Sequence, residues 1–192
     1  MLPQSLSTGL KEWKLLTDAL ASGRQMMLLR KGGILESGGE FTLEHRHFVF
    51  FPTYIHQDLA MLKPDAQRGF ERHNAEPDKV TLAVAGAVTE ILAVSHRSQI
   101  DKLRDEHIWT DALIDMRFSY KPQNPLYVVL VRAYKLAAPI TVVNTPAYAG
   151  CKSWVPLEAP VDTTGAKPAM DETHYRSHRD RMLSVLGGGA ML

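Results

Sequence analysis

Three histidines in a short aromatic stretch are the residues of this chain best suited to chemistry. His45 and His47 are two positions apart, and His56 follows at the end of the same run, EHRHFVFFPTYIHQ. Side chains two apart on a β-strand share a face, so the first two imidazoles could bind one divalent metal. The third ligand would be His56 or an acid such as Asp58 folding back. The alternative is that the imidazoles cap the rim of a sheet and hydrogen-bond to the backbone.

Glu44 and Arg46 alternate with these histidines and fall on the opposite face of the same predicted strand. Their opposite charges predict an ion pair, and their place at the rim makes both of them candidate ligand contacts. Tyr54 lies a little further along the chain and is a candidate for stacking on a ligand ring.

A turn with two cations and two glycines, Arg30, Lys31, Gly32 and Gly33, follows a predicted strand. Its side chains and its backbone N–H groups suit a phosphate. The sequence lacks the spacing of a P-loop, so the alternative interpretation is a solvated turn.

Two further stretches mix aromatic and cationic side chains, the combination that stacks a base and neutralises its phosphate. In the first stretch, Trp109 is expected in the core, whereas Tyr120 and Lys121 are candidate contacts. In the second stretch, a loop that carries Lys152 and Trp154 could complete a pocket.

The composition limits the classes of partner and cofactor. The chain has 192 residues, and its 22 Lys and Arg against 21 Asp and Glu give a formal net charge of +1. No global positive field draws such a molecule onto duplex phosphates, so a nucleic-acid contact must come from a local patch. The single cysteine, Cys151, excludes an intramolecular disulfide and is expected to be an inert thiol rather than a nucleophile. Without a leader-like start or a membrane-length apolar run, we expect a cytoplasmic protein with no membrane partner.

The spacing of apolar residues predicts the elements of the first half of the chain. A helix is expected over residues 10–20, with Gly23 as its C-terminal cap. Strands are expected at 26–30 and 41–51, the second of them buried on both faces where it reads FVFF. The polar segment 56–73 predicts short surface turns.

In the second half, residues 79–94 predict a long strand, in which the interior Gly86 is typical of a bulge. One long or two short helices should follow over 95–116. A central strand is expected at 125–136, and Pro139 separates it from a short strand at 140–143.

The C-terminal part of the chain is expected to be a loop over 146–167 and then a helix over 171–186. A flexible glycine-rich end should follow.

This order of elements resembles a known group of small barrels. The strands MMLLRKGGI, FVFFPTY and VTLAVAGAVTEILAV, with the final YVVLVRAYKLAAPITV, are similar to the PUA superfamily and most of all to its ASCH type. The resemblance implies an α+β domain built on a small, strongly curled mixed β-barrel with flanking helices at both ends. Residues 1–167 would form this domain, and residues 168–192 would form a C-terminal helix and a flexible tail.

A closer resemblance is to a bacterial family with a domain of unknown function, DUF1802. The shared phrases are LKEW at 10–13, LLRKGGI at 28–34, EHRHFVFFPTYIHQ at 44–57, IWT at 108–110 and GCKSWVPL at 150–157. The family implies no established activity. Its members are also found joined to restriction-endonuclease-like domains, which implies a link to DNA restriction and modification. This chain has no room for a fused nuclease, so a restriction-type nuclease would be a partner.

These observations favour a nucleic-acid-binding module that recognises a single-stranded or flipped base, unmodified or modified. The glycine turn would contact phosphate, the three histidines would hydrogen-bond in the pocket, and Tyr54 or Tyr120 would stack. One alternative is a metal-dependent hydrolase or nuclease that uses the His-x-His site. Another is a protein-interaction module of a defence system. No cofactor is expected apart from the divalent metal of the first alternative.

Overall fold

The computed structural model describes residues 2–31, 44–150 and 152–187, and it has an α+β fold dominated by one mixed sheet. The strands are β1 Ser5–Trp13, β2 Met27–Arg30, β3 His47–Thr53, β4 Lys79–Val94, β5 Leu126–Val143, β6 Trp154–Asp162 and β7 Lys167–Pro168. The α-helices are α1 Lys14–Ala21, α2 Arg97–Asp101, α3 Asp111–Ser119 and α4 Glu172–Leu186. Within the described ranges, no helix is long and apolar enough to cross a membrane.

The strand order in the sheet is β2-β5-β4-β3-β1-β6, and β7 pairs with β5. Strands β1 and β3 run parallel, with Gly9 opposite Val49 and Trp13 opposite Thr53, whereas the other pairs are antiparallel. The carboxyl ends of β1 and β3 therefore lie side by side at one edge of the sheet.

The FVFF run of β3 separates two apolar clusters. Phe48 and Phe50 are fully buried against the cluster that contains α1 and α4, whereas Val49 and Phe51 are buried in a second cluster with Tyr148. Because successive side chains of a strand point to opposite faces, this run needs apolar cover on both sides. The prediction that β3 is buried on both faces is confirmed.

Gly86 allows close packing at the centre of β4, and the bulges lie on either side of it. The register of β4 on β5 shifts between Leu82 and Val84 and again between Val88 and Glu90. A Cβ atom at Gly86 would lie only 2.8 Å from Phe48 Cε2. The strand is bulged, but the prediction that Gly86 marks the bulge is wrong, because the register is regular at Gly86 and the neighbouring ring is what requires a glycine there.

The helix predicted over residues 10–20 is wrong in its first part. Residues 5–13 form strand β1, and the helix begins only at Lys14. Leu10 and Trp13 satisfy helical spacing, but pairing with β3 and β6 outweighs this weak local preference. The end of α1 is as predicted, since Gly23 has φ +74° in the left-handed region that glycine favours.

Two predictions for the C-terminal half are also wrong. Pro139 does not divide β5, because an irregular stretch between Lys135 and Ile140 accommodates the proline within one strand. Residues 154–162, expected as a loop, form β6, whose buried Val155 and Leu157 alternate with exposed positions. The prolines of β6 are tolerated because it is an edge strand of the described sheet.

The helical predictions after β4 are confirmed. Two short helices, α2 and α3, occupy the region where one or two helices were expected. Helix α4 begins after Asp171, whose side chain accepts a hydrogen bond from His174 N at 3.0 Å. The predicted glycine-rich tail lies outside the described residues.

The sheet does not close into a barrel along the described strands, so that part of the fold prediction is not confirmed. Strands β2 and β6 stand at opposite ends of the strand order and do not pair with each other. The guanidinium of Arg30 on β2 nevertheless pairs with Glu12 on β1. The sheet thus curls enough for side chains of non-neighbouring strands to meet.

Candidate ligand-binding cleft

A cleft of about 600 Å³ opens beside the carboxyl ends of β1 and β3. Its lining comes from these two strands, from residues 55–56 and 76–78, and from the segment between β5 and β6. Pockets that hold small ligands commonly have volumes of about 300–1,000 Å³. The cleft therefore has room for a ligand of nucleoside size.

The floor of the cleft is held by contacts between β1, β3 and the segment after β5. The Phe51 and Tyr148 rings pack at a centroid distance of 5.0 Å, and Glu158 N donates to the Tyr148 hydroxyl at 3.0 Å. The ammonium group of Lys11 donates to the carbonyl oxygens of Tyr148 and, at 3.2 Å, Gly150. These bonds fix the turn after β5 against β1.

The opposite rim depends on Glu76. Its carboxylate accepts hydrogen bonds from Tyr54 N at 2.9 Å and from Ile55 N at 3.2 Å. Asn144 joins this rim to the end of β5, since its Nδ2 donates to Pro77 O at 3.0 Å. The cleft is thus bordered by segments that are far apart in the sequence and are joined to each other by hydrogen bonds.

Three side chains around the cleft have the chemistry to hold a planar, charged ligand. Trp13, at the end of β1, is partly buried, whereas His56 and Lys152 are exposed. His56 has φ +68°, a conformation that is uncommon for a residue with a side chain. An indole ring, an imidazole and an ammonium group can provide stacking, hydrogen bonding and charge neutralisation, respectively.

The structure places two of the predicted ligand contacts, His56 and Lys152, in the cleft, and Tyr54 directly beside it. Trp154 lies elsewhere, because it packs against the ring of His45 at 5.1 Å and that of Phe48 at 5.3 Å. Phe48 belongs to the cluster on the other face of the sheet from Phe51.

The three histidines of the predicted metal site do not converge. His47 is the first residue of β3, and His56 lies three residues beyond Thr53, the last residue of this seven-residue strand. A strand rises about 3.3 Å per residue, so about 20 Å separates the two ends. Within the described residues, no group of three His, Cys, Asp or Glu is arranged to hold a metal ion.

At the other end of β3, the charged groups pair differently from the prediction. Glu44 Oε1 lies 3.6 Å from His45 Nε2, where the sequence predicted a pair of Glu44 with Arg46. Burial lowers the pKa of His47, and the charge of Arg46 acts in the same direction. Protonation of His47 is therefore disfavoured.

Both cations of the predicted phosphate turn contact other parts of the protein. Arg30 pairs with Glu12, and both side chains are about 85% buried, with exposures of 15% and 14%. Lys31 Nζ donates to Phe118 O at 2.9 Å and to Lys121 O at 3.3 Å, which ties β2 to the end of α3. Gly32 and Gly33 lie outside the described residues, as does Cys151.

The remaining predicted contacts lie near α3. Tyr120 and Lys121 are exposed, and the lysine Nζ lies 5.3 Å from the tyrosine ring centroid. Trp109 is buried in the core as expected. Neither Tyr120 nor Lys121 lines the cleft at the end of β1.

Sequence reasoning missed most of the residues that build the cleft. Lys11 and Trp13 were assigned to a helix, and Glu76 and Asn144 lie in segments without a recognisable motif. A charged residue next to a proline, as in Glu76-Pro77-Asp78, predicts a turn, but it does not identify the segment that the turn contacts. Only the three-dimensional fold brings these residues together.

The chain was compared with solved structures and with curated proteins. A crystal structure of a mutant of ZmASCH from Zymomonas mobilis is similar, with a TM-score of 0.44 and 10% sequence identity, over 96% of this chain and 99% of that chain. No curated protein matches. The family defined by the domain of unknown function DUF1802 matches residues 9–181, which is most of the chain. The chain therefore belongs to the DUF1802 family.

Proposed function

We propose that the cleft at the end of β1 and β3 binds an unstacked base of a single-stranded nucleic acid. The observation that carries this proposal is the presence of Trp13, His56 and Lys152 around one cavity of about 600 Å³. Every base has a π-face that stacks on an aromatic ring, and a nearby ammonium group neutralises a phosphate. The near-zero net charge of +1 suits this mode better than coating of a duplex.

The polar rim of the cleft predicts which bases it binds best. Glu76 and Asp78 both line the cleft, and each carboxylate oxygen can accept more than one hydrogen bond. An exocyclic amino group is a good donor to a carboxylate, as in the pairing of acidic side chains with cytosine N4. We therefore expect amino-bearing bases to bind better than thymine or uracil.

The proposal keeps the nucleic-acid prediction made from the sequence but moves the site from the glycine turn to the cleft. A base modification and a restriction-type partner remain predictions from the family resemblance. The alternative of a His-x-His hydrolase receives no support from the described residues, because the length of β3 separates His47 from His56 and no three ligand-type side chains come together there.

Replacing Lys152 by alanine tests the electrostatic part of the proposal. We expect binding of a labelled cytosine hexamer, measured by fluorescence anisotropy at low salt, to weaken about three- to tenfold. The slope of log affinity against log salt should become shallower by about 0.7, the value for one phosphate contact on a single strand. A thymine hexamer should bind more weakly than the cytosine hexamer to the wild-type protein.

Lys135→Ala is the matched control, since Lys135 is exposed on β5 and does not line the cleft. It removes the same charge and should leave affinity and salt slope unchanged. If no oligonucleotide binds at low salt, or if both lysine variants lose the same affinity, the proposed function is wrong.

A further inference from the structure

A second hollow, of about 360 Å³, adjoins the cleft. His56 lines both cavities, and the second one continues along Tyr54 and the segment 57–59 to Phe70, Arg72 and His73. The two cavities are therefore neighbours that share His56 in their linings. Nothing in the proposed function assigns a role to the second one.

The lining of the second hollow combines rings with a cation. The Tyr54 and His73 rings meet edge to face at a centroid distance of 5.0 Å, and Phe70 is only partly buried. Arg72 is exposed beside these rings. Burial raises the pKa of Tyr54, with the charges of Asp18, Glu76 and Glu71 adding to the effect, so its phenol stays a hydrogen-bond donor.

One polar atom of this hollow has no hydrogen-bond partner among the described residues. His73 Nε2 is buried and lies 3.5 Å from a Glu71 carboxylate oxygen without forming a hydrogen bond. Other polar groups are already used in the fold, because Gln57 accepts from Leu15 N at 3.0 Å and Asp58 accepts from Ala60 N at 2.9 Å. The His73 nitrogen is therefore out of reach of a ligand, and His73 contributes to the wall of the hollow through its ring, which packs on Tyr54.

The backbone at the junction is held in an uncommon conformation. His56, at φ +68°, adopts the left-handed region, which is uncommon for a residue with a Cβ atom. The two hydrogen bonds from Tyr54 N and Ile55 N to Glu76 hold the chain just before it. This turn keeps the exposed imidazole between the two cavities.

We infer that the second hollow binds the nucleotide next to the one in the cleft, so that the ligand is an oligonucleotide of at least two residues rather than a free nucleotide. This inference rests on the proposed function. Arg72 contacts the phosphate that joins the two nucleotides, and the rings of Tyr54, Phe70 and His73 contact the second base. His56 lies between the two bases.

The test compares ligands of increasing length on the purified full-length protein. Cytidine monophosphate, the dinucleotide and the hexamer are titrated by isothermal calorimetry. We expect the dinucleotide to bind about tenfold more tightly than the mononucleotide, the gain typical of one additional stacked base. In Arg72→Ala, the affinity for the dinucleotide should fall to that for the mononucleotide, and the mononucleotide should bind as it does to the wild type.

Arg68→Ala is the control, because Arg68 is exposed in the same segment and lines neither cavity. His56→Gly is a second variant, which removes the imidazole and places at this positive φ a residue that adopts it without strain. It should therefore fold normally. Its gain in affinity from mononucleotide to dinucleotide should be smaller than that of the wild type. Equal affinities for mononucleotide and dinucleotide in the wild type would overturn the second subsite and leave the cleft proposal standing. Equal losses in Arg72→Ala and Arg68→Ala would also overturn it. If none of the ligands binds, the proposed function itself fails.

Discussion

Trp13→Leu is expected to weaken binding of a cytosine hexamer about 10- to 100-fold. Stacking of a base on an aromatic side chain contributes about 1–3 kcal/mol, and leucine cannot replace the π-face. Leucine keeps much of the apolar volume at the end of β1, where Trp13 is partly buried against the core. The measurement is a fluorescence anisotropy titration, with urea unfolding of each variant to verify that the fold is retained.

Two further variants test whether the loss of affinity comes from stacking and whether the stacking occurs at Trp13. Trp13→Phe keeps an aromatic ring, so it should recover most of the affinity. Trp154→Leu changes a second partly buried tryptophan whose ring contacts His45 and Phe48 rather than the cleft, and it should bind as the wild type does. If Trp13→Leu binds normally, or if Trp154→Leu loses as much affinity, the base does not stack where the proposal places it.

Arg179→Ala is expected to lower the free energy of unfolding by about 3 kcal/mol, the lower end of the range for removing one partner of a buried ion pair. The Glu90 side chain on β4 is only 7% exposed, and Arg179 Nε donates to its Oε1 at 2.9 Å. The arginine side chain is itself 34% exposed, so water reduces the loss when it is removed. Urea denaturation at neutral pH measures the change.

Arg176→Ala provides the matched control on the same helix. Arg176 pairs with Glu172 one turn away at 2.7 Å, but these side chains are 72% and 58% exposed. An exposed pair of this kind contributes less than about 1 kcal/mol. The double variant Glu90→Gln/Arg179→Ala should recover part of the stability, because the buried negative charge is gone. Equal effects of the two arginine variants would contradict the assignment of Glu90 and Arg179 as a buried ion pair that attaches α4 to β4.

The attachment of α4 also explains why its position could be predicted but not its partners. The capping Asp171 and the apolar Tyr175, Met182 and Leu186 are local signals that define a helix and its buried face. Arg132 on β5 lies 4.1 Å from the Tyr175 ring centroid, a contact between residues far apart in the chain. Periodicity carries no information about such a pair.

The strands also differ in how well their own sequences predict them. Strand β4 has the predicted bounds, because its alternation extends over sixteen residues. Strand β1 was predicted as a helix and β6 as a loop, because pairing with distant segments outweighs the local signals of each.

The cleft was only partly predictable for a related reason. His56 and Lys152 were identified by residue type, but Trp13, Glu76 and Asn144 join them only after β1, β3 and β5 have folded. Proximity in the sequence was misleading for His47 and His56, because the whole length of β3 runs between them. The match of the family to residues 9–181 confirms the family prediction, which rested on short phrases along the whole chain.

Photocrosslinking tests most directly whether a base occupies the cleft. A cytosine hexamer with one 5-iodocytosine is irradiated with the full-length protein, and the crosslinked peptides are identified by mass spectrometry. The account predicts crosslinks at Trp13, His56 or Tyr148, and their loss when unlabelled cytosine hexamer competes. Crosslinks confined to α4 or to the His45 and Trp154 contact, or no crosslink at saturating protein, would contradict it.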